Sequence, residues 1–308
     1  MTLDHASFRE TGSMPYPASL VGQSTAPISH EIDSRWTMAY AAGIGALGAQ
    51  YFDTRSSVVA HPVFPVCLEW PAVLAARAID TGGALGRDEL LRGVHATHDL
   101  TLHRPIRPPE VLTTTATVVA AEARRPGTYE VVRLDTVDEG GDPVSTSFMG
   151  SLFLGVELDG DPVPVGQTVP EVGAPELADP ASVHELAVSA VAAHVYTECA
   201  RIYNPIHTDA AVAEAAGLPG AILHGTATLA MGVSEVVDAA AGGNPSAVRR
   251  LGCRFGAMVP MPDRVEVRMG DPVPTDVGPT IGFEVLNGAG ARAISDAWVV
   301  LDPSRSGQ

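Results

Sequence analysis

Cysteine is scarce in this chain: Cys67, Cys199 and Cys253 stand far apart and are odd in number. With no CxxC pair and no Cys/His cluster, neither a disulfide framework nor a zinc site is expected, and a reducing compartment fits. Aromatic residues make up only 5% of the sequence, so the core has to be built mostly from Ala, Val, Leu and Ile. Positive charge is short as well. The 19 Lys and Arg face 36 Asp and Glu, a formal net charge of −17 at pH 7. Such a surface repels phosphate backbones and argues against a nucleic-acid partner. An anionic ligand would need a local basic patch, and Arg249, Arg250 and Arg254 form the densest one. No uncharged apolar run is long enough to span a bilayer, so no membrane partner is expected. The first twenty residues lack a basic stretch followed by an apolar run, so no secretory signal is read there and a cytoplasmic location is expected. The absence of GxxxxGK[ST] and GxSxG argues against a phosphate-loop enzyme and a serine hydrolase of the elbow type.

What is present is a chain that is 45% hydrophobic and 18% charged over 308 residues, enough for two compact units or one larger domain. Residues 1–30 read as a Pro/Ser-rich arm, and a helix is expected to start within Trp36–Gln50. The segment from His61 becomes a buried helix over Pro65–Ala78. Val94–Val119 alternates with a Pro-Pro turn in its middle, which predicts two strands joined at a bend, and Thr128–Asp135 and Ser145–Gly155 add two more. Residues 157–182 are rich in Pro, Gly and acid and read as a linker. Beyond it, Val183–Arg201 reads as helical. A short helix over Ala210–Ala216 stops at Gly217, and the small, apolar Thr226–Ala241 reads as a second buried helix. Strands are expected at Val248–Phe255, Arg264–Met269, Thr280–Asn287 and Ala293–Leu301.

The halves repeat. IRPPEVLTTT from Ile106 and VPMPDRVEVR from Val259 share one pattern, apolar residues, a Pro turn, an acid and an alternating strand, at an offset of 153 residues. Each half also has a helix introduced by a His pair, His61-Pro62 and His224-Gly225. The reading is an α+β protein of two antiparallel sheets, each wrapping a central helix, divided into residues 1–156, a linker at 157–182, and residues 183–308.

The densest polar cluster is ARIYNPIHTD, Ala200 to Asp209. Pro205 fixes the backbone ahead of His207, and Asn204 and Asp209 can hydrogen-bond locally, so the segment can hold an imidazole as an acid–base group must be held. Downstream, LPGAILHG leads into the second buried helix. A helix N-terminus presents free N–H groups, and Gly225 lets either a ligand or a neighbouring side chain come close.

These two segments, NPIHTD and then AAVAEAAGLPGAILHGTATLAMG, resemble the MaoC-like (R)-specific enoyl-CoA hydratases, whose pattern runs Ser-Gly-Asp-x-Asn-Pro-(Leu/Ile)-His-x-Asp, a helix, then Pro-Ile-x-His-Gly. TMAYAAGIGA and HPVFPVCLEWPAVL resemble the degenerate first unit of the double-hotdog members. The resemblance implies a double hotdog whose N-terminal half forms the acyl-chain tunnel, with Trp36, Ala41, Ala42, Gly43, Gly45, Phe64 and Trp70 as lining. It makes His207 the catalytic histidine and Asn204 the residue that orients it or the water. Gly225, with His224, stands at the thioester oxygen, and Asp209 and Tyr203 support the motif. The substrate it implies is an acyl-CoA or acyl-carrier-protein thioester, with no cofactor and no metal, and the fold admits a homodimer.

One position departs. The family aspartate, two residues before the asparagine, is Ile202 here, which can neither take a proton nor hold a water. Glu198 and Glu235 are nearby carboxylates in sequence. Three readings follow: an enoyl-thioester hydratase or (R)-3-hydroxyacyl-thioester dehydratase; a cyclase or isomerase of a polyketide-like intermediate on the same scaffold; and a non-catalytic acyl-thioester binding subunit.

Overall fold

Alternation in the sequence became strands on both sides of each proline turn. The computed structural model describes residues 14–79, 85–86, 89–90, 92–165, 173–177 and 179–305. In the first half, β1 (Tyr16–Pro17) precedes β2 (Ile28–Ile32), followed by helices α1 (Ser34–Gly43), α2 (Ala49–Phe52) and α3 (Val66–Arg77). Four long strands come next: β3 (Gly93–Leu102), β4 (Glu110–Arg124), β5 (Gly127–Asp138) and β6 (Pro143–Leu154). Then come β7 (Leu158–Asp159), paired with β1, and β8 (Ser182–Val188). The second half continues with helices α4 (Ala192–Ala200), α5 (Ala210–Ala215) and α6 (Gly225–Ala240). It closes with β9 (Val248–Phe255), β10 (Asp263–Met269), β11 (Val273–Thr275), β12 (Gly278–Leu286) and β13 (Arg292–Leu301).

The two expected sheets are fused into one of eleven strands, in the order β2-β4-β5-β6-β3-β9-β13-β12-β10-β8 with β11 on β12. Each half has the same connectivity. Its first strand lies at an outer edge, its second lies at the centre, and its helices fall between those two in the chain. The halves meet where β3 and β9 pair antiparallel, from Thr97 opposite Arg254 to Thr101 opposite Arg250. The repeated proline turns are equivalent down to the backbone: Pro108–Pro109 and Met261–Pro262 are both cis, 153 residues apart.

The expected helix over Val183–Arg201 is corrected. Its first part is the edge strand β8, whose burial alternates along SVHELAV and which pairs with β10 from Ser182 opposite Met269 to Val188 opposite Asp263. Backbone pairing with the edge of β10 outweighs helical composition, and the helix begins only at Ala192. The expected arm also contains β2, paired with β4. Of the arm, residues 1–13 lie outside the described residues, as do 166–172 and 178 of the expected linker. The stretch Gly43-Ile-Gly-Ala-Leu-Gly48 has the GxGxxG spacing, but it closes α1 rather than following a strand, so it lacks the context of a dinucleotide-binding turn.

α3 and α6 are apolar on most sides and are buried accordingly. One core cluster runs across the join, from Ile32, Trp36 and Tyr40 through Phe64 and Leu68 to Leu229, Val233 and Ile294. Trp36, Ala41 and Phe64, expected along a tunnel, pack within this core, with Trp36 edge-on to Phe64 at 5.2 Å. Gly43 allows α1 to sit against Cys199 of α4, where a Cβ would fall 2.9 Å from the Cys199 Cβ.

Candidate active site

The NPIHTD loop is held by its own side chains. α4 ends at Arg201, which takes a left-handed conformation (φ 57°), and the Ile202 amide turns back to the Thr197 carbonyl at 3.2 Å. Asn204 caps the short 3-10 turn Pro205–His207, its Oδ1 accepting from the Ile206 amide at 3.5 Å. Asp209 caps α5, accepting from the amides of Ala211 at 2.9 Å and Val212 at 3.4 Å. His194 reaches from α4 to the Thr208 carbonyl at 3.0 Å and closes the loop from outside. Tyr203 is exposed.

Within this frame His207 has one defined partner. Its Nδ1 lies 2.9 Å from the Ile222 carbonyl. A carbonyl only accepts, so Nδ1 carries the proton and Nε2 keeps its lone pair. The ring stacks on His224, with centroids 3.7 Å apart and planes at 25°. Burial pushes His207 down to about 4, with the Ile222 carbonyl opposing the shift. His224 is pushed to about 2, by burial first and by its neighbour His207 second, against the Ile202 backbone. Its Nε2 contacts the Thr197 hydroxyl at 3.3 Å. Behind it Tyr196 donates to Thr226 at 3.0 Å. The stacked pair is therefore neutral at neutral pH, and a proton taken at Nε2 of His207 has only a weakly basic neighbour to compete with it.

His224 is also the N-cap residue of α6. The Ala227 and Thr228 amides both return to its carbonyl at 3.1 Å. Among the described residues the Gly225 and Thr226 amides have no acceptor, and they are the donors at the tip of a sixteen-residue helix. Gly225 has a second constraint. A Cβ there would fall 2.8 Å from Cδ1 of Phe255, so tight packing alone already requires glycine.

The structure separates the remaining candidates. Ile202 is 6% exposed and belongs to the core. Glu198, Thr197, Tyr203 and Asn204 line one cleft of about 290 Å³ with His194, Pro205 and Thr208. Glu235 lies elsewhere, 2.7 Å from His184 on the edge strand β8. The basic cluster is not an open patch: Arg250 grips Asp99 through two bonds of 2.9 and 2.7 Å, and Arg254 lies 3.7 Å from Asp296. Tyr196, Thr197, the Ile222 carbonyl and Phe255 carried no signal in the motif spacing. Only folding brings them to the site.

Comparison with known proteins gives a consistent picture. Residues 177–284 match the profile of the MaoC like domain, and residues 19–147 match the FAS1-like dehydratase domain region. The 3-hydroxyacyl-thioester dehydratase Y of Mycobacterium tuberculosis (strain ATCC 25618 / H37Rv) is 26% identical over 239 residues, 76% of this chain and 80% of that protein. The crystal structure of a MaoC-like dehydratase from Phytophthora capsici superposes with a TM-score of 0.80 at 21% identity, covering 94% of this chain and 99% of that one. A Mycobacterium tuberculosis protein described as having a double hotdog fold superposes with a TM-score of 0.59 at 14% identity, covering 92% and 96%. At these identities the superpositions show the fold, which is the α+β double hotdog.

Proposed function

We propose that this chain is a hydro-lyase of the MaoC-like hydratase and dehydratase type acting on an acyl thioester, with His207 as its proton-exchange group. The reaction is the reversible addition of water to a trans-2-enoyl thioester, equivalently the loss of water from an (R)-3-hydroxyacyl thioester. The observation that carries this reading is the Nδ1 bond of His207 to the Ile222 carbonyl, which leaves Nε2 free beside the N-terminus of α6.

In the dehydration direction Nε2 of His207 removes the proton from C2. The electrons pass into the thioester as an enolate, whose oxygen accepts from the Gly225 and Thr226 amides. The enolate then expels the C3 hydroxyl, which leaves as water with the proton His207 has just taken. Because Ile202 cannot exchange protons, one imidazole serves both steps, which requires C2–H and C3–OH on the same face of the substrate. Asn204 and Asp209 act on the backbone that carries His207. In this reading the N-terminal half encloses the acyl chain. The dehydratase character of the relatives supports the hydro-lyase over a cyclase, an isomerase or a silent binding subunit.

Incubation with a panel of trans-2-enoyl-CoA thioesters, followed by the absorbance of the conjugated thioester, tests the proposal. Loss of the conjugated band with at least one chain length is expected. A flat trace across the whole panel would overturn the hydro-lyase reading. Among the described residues no helix is long and apolar enough to cross a membrane.

A further inference from the structure

The chain contains no lysine, so all nineteen of its cationic side chains are arginines. In this acidic protein most of those in the C-terminal half are neutralised. Of the eight from Arg201 to Arg305, six lie within 4.0 Å of a carboxylate: Arg250, Arg254, Arg264, Arg268, Arg292 and Arg305. Arg249 acts on Asp302. Arg201 has no such partner among the described residues. Its guanidinium lies 3.8 Å over the ring of Trp36, a cation–π contact. Trp36 is itself fixed by its indole N–H, which donates to the Cys199 carbonyl at 3.1 Å. Arg201 is exposed, and its backbone sits in the left-handed region at φ 57°, a conformation that glycine adopts freely and that costs any other residue. Backbone strain kept at an exposed position next to a site points to a role for the side chain. The helix that ends there presents Thr197 and Glu198 to the cleft, and Asn204 follows three residues later.

We propose that Arg201, stacked on Trp36, is the anion-binding residue that receives a phosphate of the substrate's pantetheine-bearing carrier, whether coenzyme A or the phosphopantetheine arm of a carrier protein. This rests on the acyl-thioester reading above. The stack restrains the planar fork against Trp36, and its N–H groups can grip phosphate oxygens in pairs. It also supplies an anionic carrier with a cationic contact on an otherwise acidic protein.

The test is calorimetric binding of pantetheine, 4′-phosphopantetheine and coenzyme A to the full chain and to Arg201→Gly, which deletes the guanidinium while easing the backbone. Arg201→Asn, which also tolerates this backbone region, is a second variant should the first unfold. The expected result is a roughly ten-fold loss of affinity for the phosphate-bearing ligands with pantetheine unaffected. A matching rise in KM for an enoyl-CoA should accompany it, with kcat unchanged. A loss for coenzyme A alone supports the proposal and assigns the contact to the adenosine-side phosphates. A loss for 4′-phosphopantetheine as well supports it and assigns the contact to the phosphate that carrier proteins share. Unchanged affinity for coenzyme A, or equal losses for all three ligands, would overturn it. If no thioester is turned over but coenzyme A affinity still depends on Arg201, the anion site stands and the hydro-lyase reading falls.

Discussion

His61 in the first half is buried and His207 in the second is half-buried, and the two are left with different chemistry. His61 Nδ1 accepts from the Val63 amide at 3.1 Å, so its proton is on Nε2. That nitrogen faces the Ser234 hydroxyl at 3.1 Å, whose own proton goes to the Ala230 carbonyl. Every position on the ring is used, and burial pushes it down to about 3. His207 is the reverse case: its N–H is used and its lone pair is not. Burial alone therefore does not make a histidine functional. What matters is which nitrogen the fold occupies and whether the other one faces open space. The Glu69–His98 pair of the first half extends the contrast. Glu69 is 3% exposed, bonds Ser147 and lies 3.6 Å from His98, which is 2% exposed. Both are sealed between α3 and the sheet.

The largest effect that separates the two histidines is on rate. His207→Ala should lower turnover of the true enoyl substrate by about 10²–10⁴-fold, the usual worth of a positioned acid–base group. His61→Ala should leave the turnover of folded protein within about two-fold and instead cost about 2 kcal/mol in denaturant unfolding, from loss of a bond in a dry site. Full activity in His207→Ala would break the comparison.

Restoring a second proton-exchange group is the next test. Ile202→Asp should raise hydration by roughly ten-fold or more, measured as loss of the conjugated thioester. Because Ile202 belongs to the core, the same variant should lose about 1–3 kcal/mol of stability. An unchanged rate in a folded variant would show that a single imidazole already suffices.

The pH responses should also differ. His207 is held down to about 4, so its base form persists on acidification, and kcat/KM should stay level until pH approaches 4. Burial raises Glu69 to about 7. A raised carboxyl binds its proton more tightly folded than unfolded. Its contribution to stability is therefore complete below the unfolded value of about 4.3 and is lost as pH rises through about 7. Glu69→Gln should accordingly flatten the decline in melting temperature over that window without moving the pH–rate profile. A shifted rate profile would link the two regions.

The smallest effect concerns packing at the helix tip. Gly225→Ala should cost about 1–3 kcal/mol by overpacking against Phe255. Gly225→Ala combined with Phe255→Leu should recover most of that in a double-mutant cycle. No recovery would mean that the glycine serves the ligand and not the ring.

Much of this was legible in the residues. The 153-residue offset, the strands beside each proline turn, both buried helices and the NPIHTD frame all depend on local periodicity or turn chemistry, which a sequence displays directly. The reading failed at Val183–Val188, because an Ala- and Val-containing stretch beside a helix has no local feature that reveals an open sheet edge.

By itself the sequence determined that two alike halves would each bury a small-residue helix under antiparallel strands, and that a rigid histidine loop would precede the second helix. Tertiary structure alone decided that the two sheets would join through β3 and β9, and that the Ile222 carbonyl, fifteen residues away, would set the tautomer of His207. It also decided that Phe255 would fill the space at Gly225 and that Trp36 would lie under Arg201. The physical reason is range. Propensity, alternation and capping act over a few residues and are written into neighbours. The partner of a buried ring nitrogen or a stacked guanidinium is selected by packing between segments that share no local pattern, and is settled only when the chain closes on itself.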